Sequence, residues 1–538
     1  MTSLLLEHQG GFAWHRGSGI CVKGYAFDGA GRYREADGLL GYFLLEPDGK
    51  TFPERLREAN GCFAVIVETD RRFLAAVDPV RSIPLFYAVQ DGRFLIGDDV
   101  YAIQRELGGS VETDPVSREE VLRVGYATGP RTADPRIRQI EAGEWVAWDK
   151  GSARAETGVY FSHAHGDYTD KSEETLLNEL DALTARWTDR LIRSAGGRRM
   201  AIPLSGGYDS RYIACALKRA RYDNVVCYSY GAPASFEWRT AREVASRLGY
   251  PIHVVEYSGR NWRAALDSPR FMEYCRLAAQ RSAVPCIQEL SARLQLELTG
   301  AIRPDDVMVP GYCGDLQGGS YVPAGALSGR GGALMEEGIA PYLYRHLFTL
   351  RRTAATPEMR EAIEGRIREY TDRFPIRDIQ DYCSVLEDWF TRHKVARFVL
   401  NTLRTHELFG NEWRLPLWDQ ELLAWWYRIP LAHRAGSRLY HRYLFERLFE
   451  PMGVAFRRHS WSEAAQSVRN PRVCSAMVSG AKWILRRTCR GWLRRHNDID
   501  AFDAASRLLL RQMPRQENAG VFGNINGVMG AWCEANDL

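Results

Sequence analysis

The apolar strand Met200-Ala201-Ile202-Pro203 runs directly into Leu204-Ser205-Gly206-Gly207-Tyr208-Asp209-Ser210-Arg211, and no other stretch of the chain restricts the fold as strongly. Two adjacent glycines let a backbone close round an anion without Cβ clashes. Ser205 and Ser210 add hydroxyl and backbone donors, and a helix starting just beyond them aims its positive end at the same point. Asp209 stands where a phosphate-bound Mg²⁺ takes an oxygen ligand. An ordinary Gly-Gly turn between strand and helix has the same local shape, so the loop acquires chemical meaning only through partners downstream. A P-loop is disfavoured, because the one Gly-Lys-Thr triplet, Gly49-Lys50-Thr51, has Leu44 where the first glycine belongs.

A chain of 538 residues exceeds one simple core, and two domains with a helical extension are expected. A net charge of +4 is small for this size and gives no general argument for a nucleic-acid partner. The eleven cysteines are scattered without a Cys-x-x-Cys pair, which points to reduced thiols and a cytoplasmic protein rather than a disulfide framework or zinc ribbon. The opening Met-Thr-Ser-Leu-Leu-Leu-Glu-His lacks the basic flank of a signal peptide. No apolar run approaches the roughly 20 residues that span a bilayer, so no integral membrane segment is expected.

Short alternating strands such as Phe63–Val67 and Phe73–Val77, separated by Gly, Asp and Asn turns, make residues 1–160 β-rich. The polar, Gly-containing stretch 150–172 marks a boundary, and residues 170–538 form the second domain. There helix and strand alternate: Glu173–Ser194 helical, Arg211–Arg219 helical, Val225–Tyr230 strand, Glu237–Leu248 helical, Ile252–Tyr257 strand, Val307–Pro310 strand. This pattern predicts a parallel sheet with helices on both faces, and ligands at the strand ends where the Ser205 and Gly311 loops fall. From about residue 340 the chain reads as helical.

The second piece is Gly311-Tyr312-Cys313-Gly314-Asp315-Leu316-Gln317-Gly318-Gly319, at the end of a buried-looking strand about a hundred residues after the first loop. Together the two resemble the asparagine synthetase and β-lactam synthetase superfamily, whose pyrophosphate loop Ser-Gly-Gly-x-Asp-Ser is followed by Gly-Tyr-Gly-x-Asp in the β-lactam branch. Leu415-Pro416-Leu417-Trp418-Asp419 matches a third segment, and Asn60-Gly61-Cys62-Phe63-Ala64, Asp78-Pro79-Val80-Arg81 and Pro84-Leu85-Phe86-Tyr87 look like the glutaminase domain in the right order. The resemblance covers residues 10–460 and implies an α+β, glutaminase-like (Ntn-type) β-rich domain followed by an α/β pyrophosphate-loop, ATP-binding synthetase domain with a helical C-terminal part.

The same resemblance implies ATP and Mg²⁺ as cofactors. Asp209 and Asp315 carry over as metal ligands, and Leu204, Ser205, Gly206, Gly207, Asp209, Ser210, Tyr230, Gly231 and Gly311 as the ATP-binding set. Tyr312 stands where the β-lactam branch has a tyrosine that, with a distant glutamate, deprotonates the attacking amine; Glu407 is the candidate for that glutamate. The family's lysine after the Pro-Leu-Trp-Asp segment is absent, leaving Arg438, His441 or Arg442 to take its charge-stabilising role. Arg404, His406 and Arg414 form either an anion clamp or a solvated helix face. The basic, amphipathic run Ala481–Arg495 suits a membrane surface, an acidic partner or plain solvent.

Thr2 stands where the family's glutaminase has its nucleophilic cysteine, without the Gly-Ile pair that follows it there, so a degenerate glutaminase domain is expected. The likeness extends, through Tyr228-Ser229-Tyr230-Gly231 and Asn411-Glu412-Trp413-Arg414, to asparagine-synthase-like proteins of bacterial surface-polysaccharide (O-antigen) clusters, thought to amidate sugar uronates. The implied reaction is adenylation of a carboxylate, with a sugar acid as the partner substrate, followed by attack of ammonia or an amine, including ammonia from a separate glutaminase. An intramolecular cyclase of β-lactam or lasso-peptide type, a glutamine-hydrolysing asparagine synthetase and a non-catalytic adenylate-binding scaffold are the alternatives. A homodimer is compatible with the sequence.

Overall fold

The computed structural model describes residues 2–44, 51–233, 235–457, 501–513 and 521–538; Gly49-Lys50 and the basic run 481–495 lie outside the described residues. Two sheets build the first part of the chain. The larger one runs, in spatial order, Arg154–Val159, Glu144–Asp149, Arg72–Val77, Asn60–Glu68, Ile20–Phe27 and His15–Gly17, with Tyr33–Glu35 added to Ile20–Phe27 and every pairing antiparallel. The smaller one orders Thr2–Leu5, Arg93–Gly97, Phe86–Gln90 and Ile137–Gln139, and its first pair is parallel.

Alternation along Asn60–Glu68 explains the layering. Phe63, Val65 and Val67 pack in one buried cluster with residues of the helices Ala36–Tyr42 and Phe52–Glu58, while Cys62, Ala64 and Ile66 belong to another with Tyr87, Phe94 and Ile96 of the smaller sheet. Phe94 and Trp148 stack across the gap with centroids 5.4 Å apart. This is the expected glutaminase-like layer structure.

The second half is built on a four-stranded parallel sheet in the order Ile252–Glu256, Val225–Gly231, Met200–Pro203 and Val307–Met308. Met200 and Ile202 face a cluster with the helices Glu173–Ala195, Asp209–Arg219 and Phe236–Leu248, whereas Ala201 and Met308 face the opposite cluster with Leu290 and Leu296. Helices therefore cover both faces, as continuous apolar strands require. Residues 412–414 extend the sheet edge: the Met308 amide donates to the Glu412 carbonyl and the Arg414 amide to the Met308 carbonyl. Beyond residue 338 the described chain is mainly helical, with Ile379–Trp389 running into a π-helical stretch, Phe390–Val399. Among the described residues no helix is long and apolar enough to cross a membrane, and every described cysteine is unbridged.

Candidate active site

The strand Met200–Pro203 keeps its register one residue further, the Leu204 amide donating to the Tyr228 carbonyl, and then opens into the glycine loop. The Ser205 amide donates to the Ser210 hydroxyl at 3.2 Å and the Gly207 amide to the Ser205 hydroxyl at 3.1 Å, so the two serines brace the loop from within. Arg211, buried in the first turn of the following helix, donates to the Gly206 carbonyl at 3.0 Å and to the Val454 and Phe456 carbonyls. Its guanidinium fixes backbone rather than facing a ligand. The Gly206 amide is engaged by the Glu237 carboxylate at 2.5 Å.

Gly311 brings the neighbouring strand end against this loop. A Cβ there would lie 2.5 Å from the Ser210 nitrogen, which excludes any other residue without a backbone shift. Cys313 turns the chain with a left-handed φ of 56°, and the Asp315 amide then donates to the Asp209 carboxylate at 3.3 Å. The other Asp209 oxygen accepts from the Tyr440 hydroxyl at 2.7 Å. Burial, and next the charge of Asp315, push Asp209 up to about 7 despite the Tyr440 hydrogen bond. Two carboxylates held together at such cost are what a divalent cation relieves, so the donor set fits Mg²⁺.

Tyr312 points into the same cavity of about 460 Å³, lined also by Ser205, Gly207, Tyr230, Glu289 and His441. Its hydroxyl donates to the Glu289 carboxylate at 3.3 Å, and the Tyr228 hydroxyl donates to the second Glu289 oxygen. Burial raises the Glu289 pKa, opposed by Tyr228, Arg293 and Tyr312. The Pro416–Trp418 turn closes the base of the loop: the Trp418 indole donates to the Tyr312 carbonyl at 2.9 Å, and Gln317 donates to the Leu417 carbonyl at 2.8 Å.

The structure thus brings together Ser205, Gly206, Gly207, Asp209, Ser210, Tyr230, Gly311, Tyr312 and Asp315 at one cavity, with Leu204 and Gly231 on the strands beneath it. Glu407 is corrected: it is not the partner of Tyr312. Lys23 donates to it at 2.5 Å and Arg404 donates to its other oxygen; burial alone would raise it, but these two cations hold it at about 2. A carboxylate so stabilised is a poor base. Glu289 takes the position that the sequence reading gave to Glu407.

The basic residues are reassigned as well. Arg404, His406 and Arg414 are buried, neither clamp nor solvated face: Arg404 donates to the Ser82 carbonyl at 2.6 Å, and the Arg414 guanidinium lies 4.2 Å from the Tyr25 ring centroid. Arg438 and Arg442 pair with Glu173 at 2.9 and 2.8 Å, away from the loop, whereas His441 lines the cavity beside the Tyr208 ring. Asn60 donates to the Asp419 carboxylate at 2.9 Å and accepts from the Gln420 amide at 3.1 Å, so both polar ends of its side chain tie the first half to residues 419 and 420.

Three side chains that touch the site lie outside the motifs read in the sequence: Glu289, Tyr440 and Glu237. Tyr440 lies inside the stretch Arg438–Arg442, whose sequence stands out for its cations and not for a hydroxyl. Glu289 ends a single 3-10 turn, Ile287–Glu289, that carries no periodic pattern.

The asparagine synthase family model matches residues 191–496, and the glutamine amidotransferase domain model matches residues 45–161. A carboxyethyl-arginine beta-lactam-synthase of Streptomyces clavuligerus is 29% identical over 229 residues, 41% of this chain and 39% of the relative. A tRNA-specific 2-thiouridylase of Parvibaculum lavamentivorans is 32% identical over 102 residues, 17% of this chain and 25% of the relative. The chain therefore spans well under half the length of either protein.

Proposed function

The chain belongs to the asparagine synthase family, matched over residues 191–496, and from that premise we propose that it is an ATP-dependent, AMP-forming amide ligase acting on a sugar acid such as a uronate. The observation that carries the reading is the convergence of Asp209, Asp315 and the Tyr312–Glu289 pair at adjacent strand ends around one cavity. The sugar-acid substrate rests on the sequence likeness to surface-polysaccharide proteins alone.

The chemistry divides between two steps. A carboxylate is a poor electrophile, so its oxygen first attacks the α-phosphorus of ATP, forming the acyl-adenylate and releasing diphosphate. Mg²⁺, held by Asp209 and Asp315, would neutralise phosphate charge. Tyr440 orients Asp209 through its 2.7 Å hydrogen bond, and the Ser205–Ser210 brace keeps the loop amides preorganised. In the second step ammonia or an amine attacks the activated carbonyl and AMP departs. The proton lost by the nitrogen passes to Tyr312 as its own proton moves to Glu289, whose pKa, raised by burial, makes its ionised form a stronger proton acceptor than an ordinary carboxylate.

The engagement of Asn60 by Asp419 and Gln420 supports a bracing role for the first half of the chain and ammonia from outside it. A cyclase joining an internal amine and carboxylate is the second reading, favoured by the Tyr312–Glu289 pair and by the beta-lactam-synthase similarity. Acid-dependent ATP–pyrophosphate exchange across sugar acids, amino acids and peptides separates them. Exchange driven by uronates supports the proposal, exchange confined to amino-acid or peptide substrates supports the cyclase, and no exchange with any acid overturns both.

A further inference from the structure

Only seven of the 71 basic residues in this chain are lysines. Four of the described ones are ion-paired: Lys23 with Glu407, Lys150 with Glu68, Lys171 with Glu179 and Lys218 with Asp223. Lys394 alone among the described lysines has no carboxylate at ion-pair distance. Its ammonium lies instead 4.5 Å from the centroid of the Tyr321 ring, which packs on Phe390. Tyr321 follows directly on the turn in which the Ser320 amide donates to the Asp315 carbonyl at 3.1 Å, so Lys394 stands beside the loop that carries Asp315.

The element that presents it is the π-helical stretch Phe390–Val399, a widened turn of the kind concentrated at functional positions. Its neighbours on that stretch are already committed: Arg392 lies near Asp388 and Glu144, and Arg397 donates to Glu141 at 2.5 Å. Burial lowers the Lys394 pKa, and the ionisable groups acting against that are Cys313 and Asp315. Among the described residues no arginine or lysine lines the cavity at Asp209 and Asp315, and the Gly206 amide of the anion loop faces the Glu237 carboxylate. Beyond the Mg²⁺ that Asp209 and Asp315 would hold, a diphosphate entering beside the Glu237 carboxylate calls for a further cation, and a lysine, a compact point charge on a flexible stem, is suited to phosphate.

We infer that Lys394 is a binding residue for the diphosphate portion of ATP and for the diphosphate released from it, a role that rests on the ligase reading but is measurable without the acid substrate. The test is calorimetric titration of the full chain with magnesium pyrophosphate, comparing wild type, Lys394→Met and Lys394→Arg. Lys394→Met is expected to weaken binding by about tenfold or more, the loss of one charge-assisted contact, and Lys394→Arg to recover most of it. Lys394→Met binding within about twofold of wild type overturns the assignment. Should the variant not fold, mass spectrometry of acetic-anhydride-labelled wild type replaces it: magnesium pyrophosphate protecting Lys394 but not Lys150 supports the inference, and absence of protection overturns it. Failure of every acid to support exchange would sink the ligase reading while leaving these binding results intact, so the two are separable.

Discussion

The Tyr312 hydroxyl donates to the Glu289 carboxylate at 3.3 Å, and Glu289 is buried with Tyr228 bound to its other oxygen. A phenol with an ordinary pKa of about 10 is a weak base by itself, so the role proposed for Tyr312 requires a carboxylate behind it. Tyr312→Phe and Glu289→Gln are each expected to leave pyrophosphate exchange largely intact while amide formation falls by roughly 10²-fold or more. Because burial raises the Glu289 pKa and only its ionised form accepts the proton, wild-type amide formation should decline as pH drops through that raised value. Glu289→Gln should lose this acidic limb. Unchanged amide formation in either variant makes the pair a packing contact.

The parallel sheet and the glycine loop were legible in the sequence because each rests on local signals, an apolar strand and adjacent glycines, whereas Asp315 was joined to Asp209 only through the resemblance of the two loops to a known family. Glu289 was not legible. It lies 23 residues before Tyr312 in a single 3-10 turn, and only the sheet order, which sets Val225–Gly231 and Val307–Met308 on either side of Met200–Pro203, brings the two together. Glu407 was misread for the complementary reason. Its helix shows a carboxylate among cations, and nothing local reveals that Lys23, 384 residues away, neutralises it. Long-range pairing decides which charged groups are tied into the fold and which are left facing the cavity.

Asp209 offers a test through metal dependence. In the absence of a cation its carboxyl sits at about 7, pushed up by burial and by Asp315, so protons compete with Mg²⁺ below that pH. The Mg²⁺ concentration needed for half-maximal exchange should therefore rise as pH falls from 8 to 6 (round assay values, about one unit either side of that pKa). Asp209→Asn and Asp315→Asn should each abolish AMP formation with the fold retained by circular dichroism. A variant turning over ATP at the wild-type rate would remove that aspartate from the metal site.

Asn60 and Asp419 predict the behaviour of the first half. Asn60→Ala deletes the 2.9 Å bond to Asp419, which Arg190 still holds, and removes the acceptor for the Gln420 amide. A stability loss of about 1–3 kcal/mol by denaturant titration is expected. Glutamine should give no steady glutamate release in the wild type, and Thr2→Ala should change nothing. Sustained glutamate release that disappears in Thr2→Ala would restore a working glutaminase and assign Thr2 as its nucleophile.

Glu407 is a carboxylate committed to a buried ion pair, in contrast to Glu289 beside Tyr312. Lys23 and Arg404 hold it at about 2, well below its ordinary 4.5, against the upward push of burial. A carboxyl whose folded pKa is depressed adds stability that is fully present above the unfolded value and is lost as pH falls towards the folded one. Glu407→Gln leaves Lys23 and Arg404 buried without their counter-charge, and at pH 7 the cost should be about 3–5 kcal/mol, the range for breaking a buried ion pair from one side. The difference between wild type and variant should shrink as pH is lowered from 5 to 3 (round values spanning an ordinary carboxyl pKa of about 4.3), because the wild-type advantage is disappearing over that window. Exchange and amide formation per folded molecule should stay within about twofold of wild type, a difference under 1 kcal/mol. Loss of amide formation in well-folded Glu407→Gln, with exchange preserved, would return Glu407 to the catalytic role and displace Glu289 from it.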